Sequence, residues 1–468
     1  MTNIGKVKGW SNMRARNLLL VIMTVFGLSA SIAGQELMTP PAGAASPVTS
    51  ESLTLDRAIS LALENNRSAK IARLETEKAS DRVAEQKTYR LPQFKLTTLV
   101  QQPLTSFDTT FEKGLFGTVP AEDTVVTSSM KPNALVIAQM SQPLTQLHRI
   151  NLQIKQQQAA AEITKAQLSA TEQQLVNDVK RAYYAILETQ GAFESAQATI
   201  KLYQEIDRIT GEYVVQQVAL KTDHMDVQTQ LAKAEYQVLT LNNQLASQKE
   251  QLNNLLGRDV RTSFVVTDAM ESAQIMMRET DLAQATKKAL SQRPELREAS
   301  LKLEQAKLDK RIKKSEFIPD VSLTVNYVST FSYSDFLPRS VSGIGVQMEW
   351  EFFDWGRKKR QLAEKEISVN QADHQLQDAQ NQIVMEVNSR FRRMQETCQL
   401  LRVTKQAQTA ARATVQMVTY RYRQDAVLLK DVLKAQASLA DSNYEYQKAL
   451  LSFWTAKADF EKAIGEDK

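Results

Sequence analysis

The residues able to do chemistry are few and scattered. The three histidines, His148, His224 and His374, lie far apart and lack the spacing of a metal site. The single cysteine, Cys398, falls within a helical pattern, can form no intramolecular disulfide and reads as a packed or idle thiol. Gly343-Ile344-Gly345 has no third glycine and falls in a strand pattern, which excludes a dinucleotide loop. No Gly-x-Ser-x-Gly nucleophile motif occurs. Catalysis, nucleotide hydrolysis and a cofactor are therefore not expected. The chemistry that does stand out is a partition between water and oil. From Ile344 to Phe352, alternation at period two puts Ile344, Val346, Met348, Trp350 and Phe352 on one face. Gly345, Gln347, Glu349 and Glu351 fall on the other. The aromatics Phe353 and Trp355 follow, as suits a membrane interface. A half-buried hairpin of a soluble domain would alternate in the same way, so the rest of the chain must decide.

The elements that position this strand occur twice. Pro92 and Pro319 are 227 residues apart, and Ala58/Ala285, Leu63/Leu290, Ala72/Ala299 and Ala79/Ala306 keep that offset. Further on, an offset of 208 pairs Asp223 with Asp431, Leu231 with Leu439 and Gly257 with Gly465. The spacing predicts a first repeat over 53–257, a connector over 258–279, a second repeat over 280–465 and a tail over 466–468. Each repeat reads as a helix, a proline break, a strand, a polar loop, a second strand and a long helical hairpin. The strands are expected near 94–103 and 134–142, then 321–329 and 343–352. Copies this long suggest a pseudo-twofold protomer rather than a solenoid. Four strands are too few to close a barrel in one chain, so several chains would have to share one.

The return helices carry a seam at alternating spacings of three and four, Leu231 through Leu255 and Leu439 through Ala463. Their other faces are rich in Gln, Asn, Ser, Lys and Glu, which suits a hollow tube but also an ordinary coiled-coil bundle. Glycine (14) and proline (11) are scarce in the 468 residues, as long helices require. Residues 1–33 read as a signal peptide, with a basic start, the apolar run Leu18–Leu28 and Ser31-Ile32-Ala33 near the cleavage point. Residues 34–52 read as a flexible leader. The net charge of +5 is concentrated in Lys6, Lys8, Arg14 and Arg16, and no basic block is interleaved with aromatics, so nucleic acid is not an expected partner. Beyond residue 33 no apolar run is long enough for a membrane helix. A membrane crossing would need a closed barrel.

Taken together, these features resemble the TolC-like outer-membrane efflux protein family over residues 53–465. The resemblance rests on the opening Leu55 to Asn66, the duplicated Leu/Ile-Pro before a strand, Phe353-Asp354-Trp355-Gly356-Arg357, and Tyr422-Arg423 followed by Asp431-Val432-Leu433. It implies a mainly α protomer with a small β part. It also implies a homotrimer whose four strands per chain form a 12-stranded barrel in outer-membrane lipid, continued by a periplasmic α-helical barrel. The implied role is exit duct of a tripartite efflux pump or type I secretion system, with a periplasmic adaptor and an inner-membrane pump as partners. The cargo stays open. By the same resemblance, Asp431 would ring the entrance, Tyr422 and Asp223 would lock the tip, and Val218, Ala219, Leu220, Ala426, Val427 and Leu428 would meet the adaptor. Asp223 and Asp431 also stand where a helix is capped after a turn. Gln217 and Asp425 replace the family's turn glycine, Lys434 replaces a second acid, and Val427 replaces a basic latch residue. A soluble periplasmic coiled-coil scaffold or adaptor is the alternative, but it would not need the alternating strands.

Overall fold

The computed structural model describes residues 51–102, 104–105, 108–114, 121–127, 132–217, 220–267, 282–331, 339–422, 424 and 426–466. The signal segment 1–33, most of the leader and much of the connector lie outside them. The chain is mainly helical with a small β part. Its first half runs β1 (Glu51–Leu53), α1 (Leu55–Asn65), α2 (Arg67–Thr88), β2 (Gln93–Gln101), β3 (Asp108–Phe111), β4 (Thr124–Thr127), β5 (Asn133–Pro143), α3 (Leu147–Val215) and α4 (Lys221–Leu255). After β6 (Phe264–Val266) come α5 (Leu282–Gln292), α6 (Pro294–Ser315), β7 (Asp320–Phe331), β8 (Ser340–Glu349), α7 (Arg357–Tyr422) and α8 (Leu429–Ile464).

The sheet is antiparallel in the order β2-β5-β7-β8, so the second strand of one repeat pairs with the first strand of the other. Strand β8 ends at Glu349, leaving Trp350 and Phe352 outside the strand that the alternation had predicted to run to 352. The cause is local. The Asp354 carboxylate accepts from the backbone N–H groups of Gly356 (3.0 Å) and Lys358 (2.8 Å) and caps α7. Trp355 (φ 56°) and Gly356 (φ 81°) then turn the chain from strand to helix. Two small pairings were not legible from periodicity. One is the hairpin β3–β4 within the long polar loop, and the other is the parallel pair β1–β6.

Helix α3 has 69 residues and so spans roughly 100 Å. Helix α2 packs beside its upper part, where Arg73 pairs with Glu172 (2.8 Å), and α4 packs beside its lower part. The ends of α2 and α4 meet at Asn66. Its Oδ1 accepts from Ser68 N (2.8 Å) and Ala69 N (3.2 Å), and its Nδ2 donates to Leu255 O (2.8 Å). The second repeat builds the same joint with a different residue. Arg293 Nη1 donates to Ala463 O (3.2 Å), and the guanidinium also pairs with Glu295 (2.9 Å) and with Glu386 of α7 (3.0 Å). Gly257 (φ +68°) lies so close to this level that a Cβ would come within 2.3 Å of Asn65 O. Two apolar clusters form a collar around the joints. Ala58, Ala62, Val179, Tyr183, Leu252 and Phe264 make the first, and Ala285, Ala289, Val387, Phe453, Phe460 and Ala463 make the second. Tyr183 donates to Leu53 O (3.0 Å), which fixes β1 against α3. Cys398 is half-buried against the second cluster.

Candidate functional site: the two-faced sheet and the hairpin ends

Directly paired residues of antiparallel strands share a face. The register therefore shows what each side of the sheet presents. Met348, Val346 and Ile344 pair with Val321, Leu323 and Val325. Val325 and Tyr327 pair onward with Met140 and Ala138, which pair with Phe94 and Leu96. One face is thus apolar across all four strands at the level of Ile344, Val325, Met140 and Phe94, and mainly apolar beyond it, with Thr98, Gln142, Ser329, Ser340 and Ser342 interspersed. The opposite face is polar at and below that level and holds Leu99, Leu135, Ile137, Val328 and Val341 above it. Its polar residues are Gln93, Lys95, Thr97, Gln139, Ser141, Ser322, Thr324, Asn326, Gln347 and Glu349. The apolar residues of the edge strands are fully available to a neighbour or to lipid, with Phe94 78%, Leu96 70%, Ile344 74% and Val346 67% exposed. The four strands hold 9, 11, 12 and 10 residues, close to the length of a tilted transmembrane strand. Where the sheet gives way to helix, Trp350, Phe352, Phe353 and Trp355 stay exposed, and Phe353 and Trp355 stack edge-on at 4.9 Å. Among the described residues no helix is long and apolar enough to cross a membrane.

Below the sheet the helices lie abreast. The lower order is α4-α3-α8-α7, and the upper order is α2-α3-α6-α7. Helix α8 meets α7 through Phe453 and Phe460 and meets the first cluster through Leu451 and Ala458. Trp454 touches both clusters and so marks the collar side of α8. The opposite side carries Lys434, Ser438, Asp441, Glu445 and Lys448, exposed and spaced by threes and fours, with half-buried Asp431 at its lower end.

At the hairpin ends, Asp431 is the third residue of α8, and its Oδ2 accepts from Leu428 N (3.1 Å). The carboxylate therefore satisfies an orphan helix donor, whatever else it does. Asp223 holds the same place in α4 and is exposed, but no hydrogen bond joins it to Tyr422 within the chain. Tyr422, the last residue of α7, is 39% exposed. Gln217 adopts φ 60°, the left-handed backbone that glycine takes without strain, so this position carries a cost in the first turn. Leu220 and Leu428 are 69% and 60% exposed, Ala426 is exposed and Val427 is half-buried. Val218, Ala219 and Asp425 lie outside the described residues. Sequence reasoning missed His224, which packs on Gly211 and shares a hydrogen bond between Nδ1 and Thr210 Oγ1 (3.5 Å), tying the first hairpin just above its turn. No group of three or more His, Cys, Asp or Glu side chains that could hold a metal exists among the described residues.

Comparison with known proteins gives this geometry a family. The outer membrane efflux protein model matches residues 58–258 and 285–466, one segment per repeat. Outer membrane protein TolC of Escherichia coli (strain K12) is 22% identical over 329 residues, 66% of this chain and 65% of that protein, so the match spans just under two thirds of that relative. A membrane protein from Pseudomonas aeruginosa superposes with a TM-score of 0.72 at 15% identity, covering 89% of this chain and 91% of its own. The Campylobacter jejuni outer membrane channel CmeC superposes at 0.71 and 15% identity, covering 88% and 86%. At such identities these structures speak for the fold. The chain belongs to the outer membrane efflux protein family, and its place is the outer membrane.

Proposed function

We propose that three copies of this chain form one passive exit duct of a tripartite efflux or type I secretion system. The observation that carries the reading is the four-stranded sheet with one mainly apolar face, unbroken across all four strands at the level of Ile344, and two edge strands, β2 and β8, that run in opposite directions. Because β8 of one copy is antiparallel to β2 of the next, the sheet can continue from copy to copy until it closes. Three copies give twelve strands. They also set twelve helices abreast, and at about 9 Å between axes these enclose a bore roughly 25 Å wide. The collar would lie on the outside of such a tube, so the side of α8 bearing Asp431, Lys434, Ser438 and Asp441 would line the bore. A soluble scaffold would leave Phe94, Ile344 and Val346 in water, which disfavours it.

The sequence carries no motif for energy conversion, so the driving force would come from an inner-membrane pump. A periplasmic adaptor would dock on the hairpin ends, through Val218, Ala219, Leu220, Ala426, Val427 and Leu428. Three Asp431 carboxylates around the entrance would favour cations, and Tyr422 with Asp223 would hold the tip closed. The test is mass determination in detergent together with bilayer conductance. A three-chain particle forming an ion-conducting pore is expected, with cation preference reduced by Asp431→Asn and closed-state current raised by Tyr422→Phe. A stable water-soluble monomer would overturn the reading. Unchanged selectivity would remove Asp431 from the entrance.

A further inference from the structure

Where the sheet meets the helices, two clefts open at positions related by the repeat. The first lies between the end of α2 and the start of α3, has a volume of about 690 Å³ and is lined by Lys87, Arg90, Lys155, Leu147 and Ile154 among others. The second lies between the end of α6 and the start of α7, has a volume of about 550 Å³ and is lined by Arg311, Lys314, His148, Phe317, Ile318 and Leu362. Lys314 and Leu362 are the counterparts of Lys87 and Ile154 at the offsets of 227 and 208. No carboxylate lines either cleft. The side chains of Lys87, Arg90, Lys155, Arg311 and Lys314 form no ion pair or hydrogen bond among the described residues. Neighbouring cations at the same level are neutralised: Arg149 by Asp320, Lys310 by Glu366, Lys313 by Glu316 and Arg357 by Glu351. Each cleft therefore gathers at least two unneutralised cations, while Lys359 and Arg360 at the start of α7 stay exposed outside the clefts.

Like charges held together call for an anion. The surroundings say which kind. Each cleft also has apolar walls, and Phe317 and Ile318 remain 46% and 51% exposed directly beneath the sheet. In water those side chains have no partner, whereas alongside acyl chains they do. We propose that each cleft seats the phosphate of an anionic phospholipid from the leaflet on the helical side, with its acyl chains running up the apolar face of the sheet. The site depends on the outer-membrane location but not on the number of copies.

The experiment uses the full chain purified in neutral detergent and native mass spectrometry with added lipid. Phosphatidylglycerol should be retained over phosphatidylcholine of the same acyl chains by at least about tenfold, since each cation near an anionic headgroup contributes on the order of fivefold. Up to two lipids should be held per chain. Lys87→Gln with Arg90→Gln and Lys155→Gln should abolish one, and Arg311→Gln with Lys314→Gln should abolish the other. Lys310→Gln with Lys313→Gln, which removes paired cations nearby, should abolish neither. Equal retention of the two lipids overturns the proposal. So does full competition by inorganic phosphate, which would mark a small-anion site. If the multiple variants fail to fold, the wild-type headgroup preference and its loss at high salt decide alone.

Discussion

A charge placed on one side of the sheet should be costly, and the same charge one residue away should not. Ile344 is the fifth of ten residues in β8, and it pairs with Val325, the sixth of twelve in β7, so in the proposed barrel it would sit near the middle of the membrane-spanning band. Its side chain belongs to the apolar face. Gly343 pairs with Asn326 on the polar face, and a Cβ there would meet nothing within 4 Å. An arginine facing lipid at mid-depth costs about 2–4 kcal/mol per chain. Three copies in one barrel would lose roughly 6–12 kcal/mol if the terms add. Even about 3 kcal/mol is a change of more than a hundredfold in a folding equilibrium. The assay is folding into phospholipid vesicles, titrated with urea and followed by the fluorescence of Trp350 and Trp355, both exposed at the lower rim. Ile344→Arg should shift the midpoint strongly, Gly343→Arg should shift it by no more than about 1 kcal/mol, and Ile344→Val should be close to neutral. Equal shifts for the two arginine variants would mean that the faces are not lipid and water, and the barrel reading would fail with them.

Asn66→Ala removes the helix cap of α2 and leaves Leu255 O without its donor, so thermal or urea unfolding should show a loss of about 1–2 kcal/mol. Gly257→Ala meets a backbone oxygen at 2.3 Å and a φ of +68°, and should cost more than about 2 kcal/mol. Gly356→Ala, at φ +81° with open space around it, should cost only about 1 kcal/mol, and the difference between these glycines tests the collar contact. The backbone N–H of Lys358, then that of Gly356, hold the Asp354 carboxyl below the usual carboxylate range. A lowered folded value means that its stabilising effect is present above the ordinary carboxylate pKa and is lost as pH falls through the lowered one. Asp354→Asn should therefore flatten the acid limb of the stability profile and leave its neutral region little changed in shape.

The helices were legible because their seams repeat without a slip, and the apolar face was legible because alternation at period two survives in a strand lined by one oil side. What periodicity could not give was pairing between distant segments. Phe264, Val265 and Val266 are three apolar residues in a row, too short a run to announce a strand, and it is pairing with Glu51–Leu53 that makes them one. The end of β8 was misjudged because Trp350 and Phe352 continue the alternation, while capping by Asp354 decides where the helix begins. The position of Asp431 could be read from its place after a turn, but its bond to Leu428 N could not. Nor could the clefts, because Lys87 and Lys155 lie 68 positions apart and only the packing of α2 on α3 brings them together.

The two joints at the collar have a mechanical consequence. Asn66 is a pin: its side chain fastens the end of α4 to the start of α2 and makes no hydrogen bond to a third helix. Arg293 is a bracket: it grips the end of α8 and the start of α6 and reaches across to Glu386 on α7. The halves of this duplicated chain are therefore fastened unequally at the same level, two helices through the side chain of a neutral amide in one and three through a guanidinium in the other.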